Sequence, residues 1–266
     1  MTSPNDTKEI NKDELLSHLK TLGIRCLEDD NFDAFISVAE KKSWSVIDIL
    51  SHLANQEMIE RERRSLAWRQ RDSRVGNFAP MANFDWNWPK KINRETIEQL
   101  LLANFVDRGE NAVLVGTQGL GKTMIAKNIV NNAVSKGHTA LFVQASQMLV
   151  DLGAQDSTTG LERRLKHYVK PMLLCIDEIG YLSYDQRAAD LIFQVVSRRY
   201  ENKSIIITTN LAFNDWPTVF PGATSVASLI DRLIHHSEIT LIEGESYRKR
   251  QAKHRKAAKQ RKEKSK

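Results

Sequence analysis

A glycine-rich segment near the middle of this 266-residue chain limits its possible folds more than any other feature. Residues 116–123 read Gly-Thr-Gln-Gly-Leu-Gly-Lys-Thr and match the pattern G-x-x-x-x-G-K-[ST] of a phosphate-binding loop. Glycines allow consecutive backbone N–H groups to point at phosphate oxygens, and the dipole of the following helix favours anions. An apolar strand at 112–115 precedes the segment, and a helical pattern follows it. The segment therefore predicts a nucleoside triphosphate site.

Every position of this loop is a candidate ATP contact. The predicted nucleotide-binding residues are Gly116, Thr117, Gln118, Gly119, Leu120, Gly121, Lys122 and Thr123. Lys122 also has a predicted catalytic role, because it brings positive charge to the terminal phosphates. The hydroxyl of Thr123 is a predicted ligand of Mg²⁺.

A second motif lies about fifty residues further along the chain, where the apolar strand 172–176 is followed by two carboxylates. Asp177 is predicted to hold Mg²⁺ through the ion's water shell, beside Thr123. Glu178 is placed to polarise the water that attacks the γ-phosphate. The pair predicts ATP hydrolysis. A small-molecule kinase is the less favoured alternative, since it has less need for a glutamate that activates water.

Short apolar strands alternate with helical patterns from residue 94 onward, which is typical of a parallel sheet covered on both faces. Strands are predicted at 112–115, 139–144, 172–176, 204–209 and 238–242. We interpret 139–144 as a spacer between the two motif strands, which indicates an additional-strand ATPase. Asn210 follows the strand 204–209 and is predicted to bind both the γ-phosphate and the attacking water.

Composition divides the chain into four regions. Residues 1–75 are predicted to be a helical domain that binds DNA or a partner, with Ser43 capping its longest helix. Residues 76–93 form a linker rich in aromatic side chains, which either pack onto the neighbouring domain or stack on a nucleotide base. The ATPase domain is predicted to occupy 94–247, and a basic tail 248–266.

The combined motifs resemble the IstB family of insertion-sequence transposition helper ATPases, in the AAA+ clade shared with DnaC-like helicase loaders. The matching segments are the loop 116–123, IDEIGYL at 176–182, LIFQVVSRRYE at 191–201, TTN at 208–210, DRLIHH at 231–236 and EGESYR at 243–248. Three departures, at Gln118, Met124 and Thr209, leave the charged catalytic positions intact.

The resemblance implies an α/β fold: a parallel-sheet P-loop AAA+ ATPase core with an all-α N-terminal domain and a basic helical C-terminal tail. It implies a homo-oligomer with ATP at subunit interfaces, in which Arg232 is the arginine finger offered to the neighbouring subunit. Arg248 resembles the second sensor arginine, which reads the nucleotide of its own subunit. The implied partners are double-stranded DNA and a cognate transposase; a DnaC-like replicative helicase loader is the alternative within the clade.

Charge supports a polyanionic partner. Residues 248–266 carry a net charge of +10 against +6 for the whole chain, which leaves −4 on residues 1–247. A dense basic block is typical of a nucleic-acid-binding arm, although a solubilising end is the alternative. Within the folded regions, the candidate DNA contacts are Arg61, Arg64, Arg163, Arg164 and Lys166.

Other classes are disfavoured by what the sequence lacks. No apolar stretch approaches the ~18 residues of a membrane span, and the first residues are too polar for a secretory signal. The two cysteines, Cys26 and Cys175, are far apart and are predicted to be reduced thiols. We therefore expect a cytoplasmic protein with no membrane partner.

Overall fold

The computed structural model describes residues 10–181 and 184–250, and the chain divides into two compact units, Met1–Ala67 and Trp68–Lys266. The first unit is all-helical. Its helices are α1 (Lys12–Thr21), α2 (Asp29–Lys41) and α3 (Val46–Asp72), the last of which extends into the second unit. Phe35, Cys26 and Leu27 form the centre of its small core. The predicted all-α character of this part of the chain is confirmed.

The start of α3 differs from the prediction. Ser45 and Asp48 cap the helix reciprocally: the backbone N–H of Ser45 donates to the Asp48 carboxylate at 2.9 Å, and the backbone N–H of Asp48 donates to the Ser45 hydroxyl at 3.2 Å. Ser43 lies in the preceding turn, with φ of 50°. The prediction that Ser43 caps the helix was wrong, because the residue three positions after it is Val46, which cannot return a hydrogen bond.

The second unit contains a five-stranded sheet. Its strands are β1 (Asn111–Gly116), β2 (Ala140–Gln144), β3 (Leu173–Ile179), β4 (Ser204–Thr209) and β5 (Ser237–Ile242). They lie in the order β2-β3-β4-β1-β5, and all four pairings are parallel. The predicted parallel α/β core is confirmed. The spacer between the two motif strands β1 and β3 is β4, however, whereas the predicted spacer β2 lies at the edge of the sheet.

Helices connect and cover these strands. They are α4 (Arg94–Leu101), α5 (Lys122–Ser135), α6 (Ala145–Gly153), α7 (Thr158–Val169), α8 (Gln186–Arg199), α9 (Trp216–Val219) and α10 (Val226–Ile234), with single 3₁₀ turns at Met81–Asn83, Asn104–Val106 and Phe213–Asp215. Because the strands are parallel, the segments that follow β1, β3 and β4 meet at one edge of the sheet. Within 10–181 and 184–250, no helix has the length and apolar composition that crossing a bilayer requires.

Arg199, at the end of α8, is a structural centre of this unit. Its side chain is fully buried. Its guanidinium donates to five backbone carbonyls at 2.6–3.1 Å, those of Tyr168, Val169, Pro171, Met172 and Ser204. One side chain therefore ties the end of α7 to the starts of β3 and β4.

Replacing Arg199 by methionine should lower the free energy of unfolding by about 3 kcal/mol or more, since each buried carbonyl left without a donor costs about 1–3 kcal/mol. The urea midpoint measures this loss. The matched control is Arg198→Met, which removes only an exposed ion pair with Glu162 and should cost about 0–1 kcal/mol. Equal midpoints for the two variants would contradict the structural role of Arg199.

Candidate functional site

The phosphate-binding loop runs from the end of β1 to the first turn of α5 and is packed on both sides. Gly119 and Gly121 have φ of +81° and +89°, in the left-handed region that favours glycine. A Cβ on Gly119 would lie 2.2 Å from the hydroxyl oxygen of Ser246, and one on Gly121 would lie 2.6 Å from the ring of Phe84. Close contact with two distant segments, as well as backbone conformation, therefore requires these glycines.

Lys122 and Thr123 point toward the same end of the sheet. The Lys122 ammonium donates to the carbonyls of Gly116 at 2.6 Å and Thr117 at 2.9 Å. The Thr123 hydroxyl donates to the two carboxylate oxygens of Asp177 at 3.0 and 3.1 Å. A hydroxyl and a carboxylate side by side are oxygen ligands of the kind Mg²⁺ prefers, so this pair fits the predicted ion.

Charged side chains of both signs lie close together at this point. Burial raises the pKa of Asp177, while hydrogen bonds from Thr208 and Thr123 and the charge of Lys122 oppose that shift. Burial lowers the pKa of Lys122, and the positive charge of Arg248 lowers it further, against the effect of the two carboxylates. Two cations thus lie close together beside the loop, and a phosphate anion would relieve their repulsion.

Thr208 is a site residue that the sequence analysis missed. Its hydroxyl donates to Asp177 at 2.5 Å and accepts the backbone N–H of Glu178 at 2.9 Å. Glu178 has φ of +65°, so this contact helps to hold a backbone conformation that non-glycine residues rarely adopt. The available signal in the sequence was a threonine directly after the three isoleucines of β4, two residues before Asn210.

Asn210 follows β4 and lies near the loop after β3. Its side-chain oxygen is buried and has no hydrogen-bond partner among the described residues. A Cβ on Gly180 would lie 3.3 Å from that oxygen, which places the amide beside the segment that carries Glu178. A buried oxygen without a partner is uncommon, and it marks Asn210 as a polar group at this edge of the sheet.

Aromatic side chains of the linker form an apolar cleft that continues from the loop. Phe84, Trp88 and Tyr247 line it together with Met124 and Tyr181. The Trp88 indole donates to the carbonyl of Glu245 at 2.7 Å, and the backbone N–H of Tyr247 donates to the carbonyl of Gly119 at 2.9 Å. The linker therefore packs against the ATPase unit, and the same rings also face the cleft.

Residues 247–250 are helical. The predicted basic tail spans 248–266, and its residues 251–266 lie outside the described residues. Arg248 lines the cleft together with Lys122 and Glu178. Arg250 lies over the Trp88 ring, 4.4 Å from its centroid, and forms an ion pair with Asp85 at 3.2 Å.

Arg232, on α10, is not among the described residues that line the cleft. Its guanidinium donates to the hydroxyl of Ser197 on α8 and lies 4.8 Å from the ring centroid of Phe193. It forms no ion pair with any carboxylate in the described parts of the chain. The structure therefore places Arg232 away from the nucleotide cleft of its own chain.

The candidate DNA contacts on α7 separate into two groups. Arg163 and Lys166 are exposed, lie three residues apart on one face of the helix and form no ion pair within the described ranges. Arg164 turns inward and donates to the carboxylate of Asp151, which also accepts the hydroxyl of Tyr168. This contact gives Arg164 a structural role.

The two candidates in the first unit both contact one buried carboxylate. Glu57 accepts Arg64 at 2.7 Å and Arg61 at 3.4 Å, as well as the backbone N–H groups of Arg25 and Cys26. The backbone N–H of Arg25, then Arg64 and the backbone N–H of Cys26, lower the pKa of Glu57 against the effect of burial. Arg61 nevertheless remains 66% exposed at its side chain, so it is the more accessible of the two.

Comparison with known proteins agrees with this geometry. A family model described as IstB-like ATP binding protein matches residues 17–256. The chain is 33% identical over 84% of its length to the putative ATP-binding protein of insertion sequence IS5376 from Geobacillus stearothermophilus, covering 88% of that protein. It is 34% identical over 81% of its length to the corresponding protein of IS21 from Pseudomonas aeruginosa, covering 82% of it.

Among solved structures, the crystal structure of DnaI superposes with a TM-score of 0.52 at 19% identity, covering 63% of this chain and 89% of that one. This likeness shows the fold alone. The family model and the two relatives each extend over more than three quarters of the chain. The chain therefore belongs to the family of IstB-like ATP-binding proteins.

Proposed function

We propose that this protein hydrolyses ATP, oligomerises with ATP at its subunit interfaces and uses that cycle to control its binding to double-stranded DNA during transposition, together with a cognate transposase. One observation carries the proposal: Lys122, Thr123, Asp177 and Glu178 lie together beside the loop, whereas the half-buried Arg232 lies away from the cleft of its own chain. The insertion-sequence relatives support transposition as the setting.

The residues at the edge of the sheet have distinct proposed roles in hydrolysis. Glu178 orients and polarises the attacking water, and Asn210 donates its amide to the γ-phosphate. Lys122 leaves the loop carbonyls and binds the terminal phosphates. Bound Mg²⁺ would supply charge that neutralises the β- and γ-phosphate oxygens, held by Thr123 and Asp177. Thr208 holds the Asp177 carboxylate and the Glu178 backbone in position through the two hydrogen bonds of its hydroxyl.

The aromatic cleft supports a purine base as the other end of the ligand. Flat rings beside a phosphate-binding loop provide apolar surface on which a base can stack, and pockets of this kind bury most of their ligand. We propose that Phe84, Trp88 and Tyr247 surround the base, while Arg248 binds the phosphates from the same side.

The proposed role of Arg232 follows from its partners. The other half-buried arginines of the described residues, Arg64, Arg164 and Arg250, each form an ion pair with a carboxylate. Arg232 is held by a hydroxyl and an aromatic ring, which leave its charge available. A guanidinium is planar and always charged, and these properties suit the stabilisation of a phosphate on another subunit.

The exposed face of α7 is the proposed DNA contact within the described residues. Replacing Arg163 and Lys166 together by alanine should weaken binding to duplexes of any sequence and lower the slope of log affinity against log salt by about 1 to 2, since each phosphate contact contributes roughly 0.9. Fluorescence anisotropy over a salt series, with a non-hydrolysable ATP analogue present, measures both quantities.

The control for this experiment is Arg108→Ala with Lys136→Ala, which removes the same charge from exposed positions outside α7. An equal change in slope for both pairs would mean that general charge, and not α7, attracts DNA. The same assay tests the proposed function as a whole. DNA affinity that is indifferent to nucleotide contradicts it, and capture of a replicative helicase in preference to a transposase would favour the helicase-loader alternative.

A further inference from the structure

Three side chains from one stretch of the chain surround Arg232. Phe193 and Ser197 lie one helical turn apart on α8, and Tyr200 follows the end of that helix. The Ser197 hydroxyl accepts a hydrogen bond from the Arg232 guanidinium. The ring centroids of Phe193 and Tyr200 lie 4.8 and 5.9 Å from the central carbon of that guanidinium. We call Phe193, Ser197 and Tyr200 the arginine cradle.

The cradle is chemically unusual for this molecule. Half-buried arginines elsewhere in the described residues contact carboxylates, as in the pairs Arg64–Glu57 and Arg164–Asp151. A carboxylate partner would compete with phosphate for the guanidinium and cancel much of its charge. A hydroxyl and two aromatic faces fix the direction of Arg232 through one hydrogen bond and cation–π attraction, without neutralising it.

The cradle is also firmly anchored. Asp185 caps the start of α8 by accepting the backbone N–H of Ala188 at 2.8 Å. At the other end Arg199 is fixed to five carbonyls, and Arg198 forms a bidentate pair with Glu162. The Tyr200 hydroxyl contacts Nδ1 of His235 at 2.9 Å, which adds a second link between this face and the end of α10.

We propose that the arginine cradle positions Arg232 for the ATP of the neighbouring subunit, so that Phe193, Ser197 and Tyr200 govern turnover at a site they do not touch. The inference rests on the proposed role of Arg232 between subunits. The three are positioning residues: none of them lines the nucleotide cleft of its own chain. A defect in the cradle should therefore lower kcat and leave the affinity of that chain for ATP unchanged.

Phe193 provides the sharpest test, because two substitutions separate its ring from its bulk. Phe193→Leu keeps apolar volume against the core but removes the aromatic face, whereas Phe193→Tyr keeps the face. With the full-length protein on DNA at saturating ATP, we expect kcat to fall by about three- to tenfold for F193L and to stay within about twofold of the unmodified protein for F193Y. Binding of a fluorescent ATP analogue should be equal in both.

Mixed oligomers then locate the defect. Subunits with Glu178→Gln lack the water-activating group but carry an intact Arg232 and cradle. Mixed with F193L subunits, they should raise the turnover of each F193L site toward the normal value, because a sound arginine now comes from the neighbour. Failure of this rescue would place the defect in the cleft of the F193L chain itself and overturn the inference.

Two further outcomes separate the inference from the function on which it rests. Full turnover by F193L, where Arg232→Ala is impaired, would overturn the cradle and leave the role of Arg232 between subunits standing. Full turnover by Arg232→Ala would overturn that role, and the cradle with it. If F193L does not fold, Ser197→Ala takes its place, because it removes only the hydroxyl that accepts the Arg232 hydrogen bond. It should likewise lower kcat and leave the affinity for ATP unchanged.

Discussion

Replacing Arg232 by alanine should lower the ATPase turnover of the DNA-bound oligomer by about 10³-fold or more, while ATP binding to each subunit stays unchanged. The reason is the position of this side chain. It lies outside the cleft of its own chain and forms no ion pair with a carboxylate of the described residues, and we propose that its charge acts on the ATP of a second subunit. Phosphate release at saturating ATP measures the turnover, and analogue binding measures the affinity.

The control for Arg232 is lysine at the same position, which keeps a charge but loses the planar fork and should recover only part of the activity. Equimolar mixing of Arg232→Ala with Glu178→Gln should restore turnover, because each variant supplies what the other lacks. A dilute preparation of single subunits that hydrolyses ATP at the full rate, with or without Arg232, would refute the shared site.

Replacing Glu178 by glutamine should lower hydrolysis by about 10²- to 10⁴-fold, the range expected for loss of a general base. Glutamine preserves the size of the side chain and the backbone contact with Thr208, so nucleotide binding should persist. ATP would then remain bound, and complexes with duplex DNA should dissociate more slowly than those of the unmodified protein. Single-turnover phosphate release and competitor-chase dissociation measure the two effects.

Glu245→Gln is the matched control for this variant, since Glu245 is an exposed carboxylate near the loop that has no proposed role in hydrolysis. Glu245→Gln should change neither the rate of hydrolysis nor the rate at which the DNA complex dissociates. If Glu178→Gln abolishes hydrolysis while the lifetime of the DNA complex stays the same, hydrolysis and DNA release are not linked in the way we propose.

The sequence predicted those parts of the site whose residues are adjacent in the chain. The loop 116–123 and the adjacent pair Asp177 and Glu178 each follow one apolar strand, and parallel strands bring their carboxyl ends to the same edge. Local order in the sequence therefore corresponds to proximity in space. The roles of these residues, and of Asn210, Arg232 and Arg248, stay predictions that the variants above test.

The remaining features depend on pairings that the sequence does not display. The order of the strands put β4, and not β2, between the two motif strands, and only this order places Thr208 against Asp177 and Glu178. The aromatic cleft joins residues far apart, since Trp88 and Glu245 are separated by 157 positions. Periodicity along α7 places Arg164 on the inward face with Leu161, Leu165 and Tyr168 and leaves Arg163 outward, but the pairing of Arg164 with Asp151 joins two helices and does not show in the sequence.

The fivefold anchoring of Arg199 has a practical consequence for genetics. A screen that scores only lost activity would recover substitutions at this position beside those at Lys122, and both would look like damage to the chemistry. The two classes differ in abundance: cells should retain normal amounts of an inactive Lys122 variant but degrade most of an Arg199 variant. Measuring protein levels alongside phenotype would distinguish Arg199, whose role is structural, from Lys122, whose proposed role is in ATP binding.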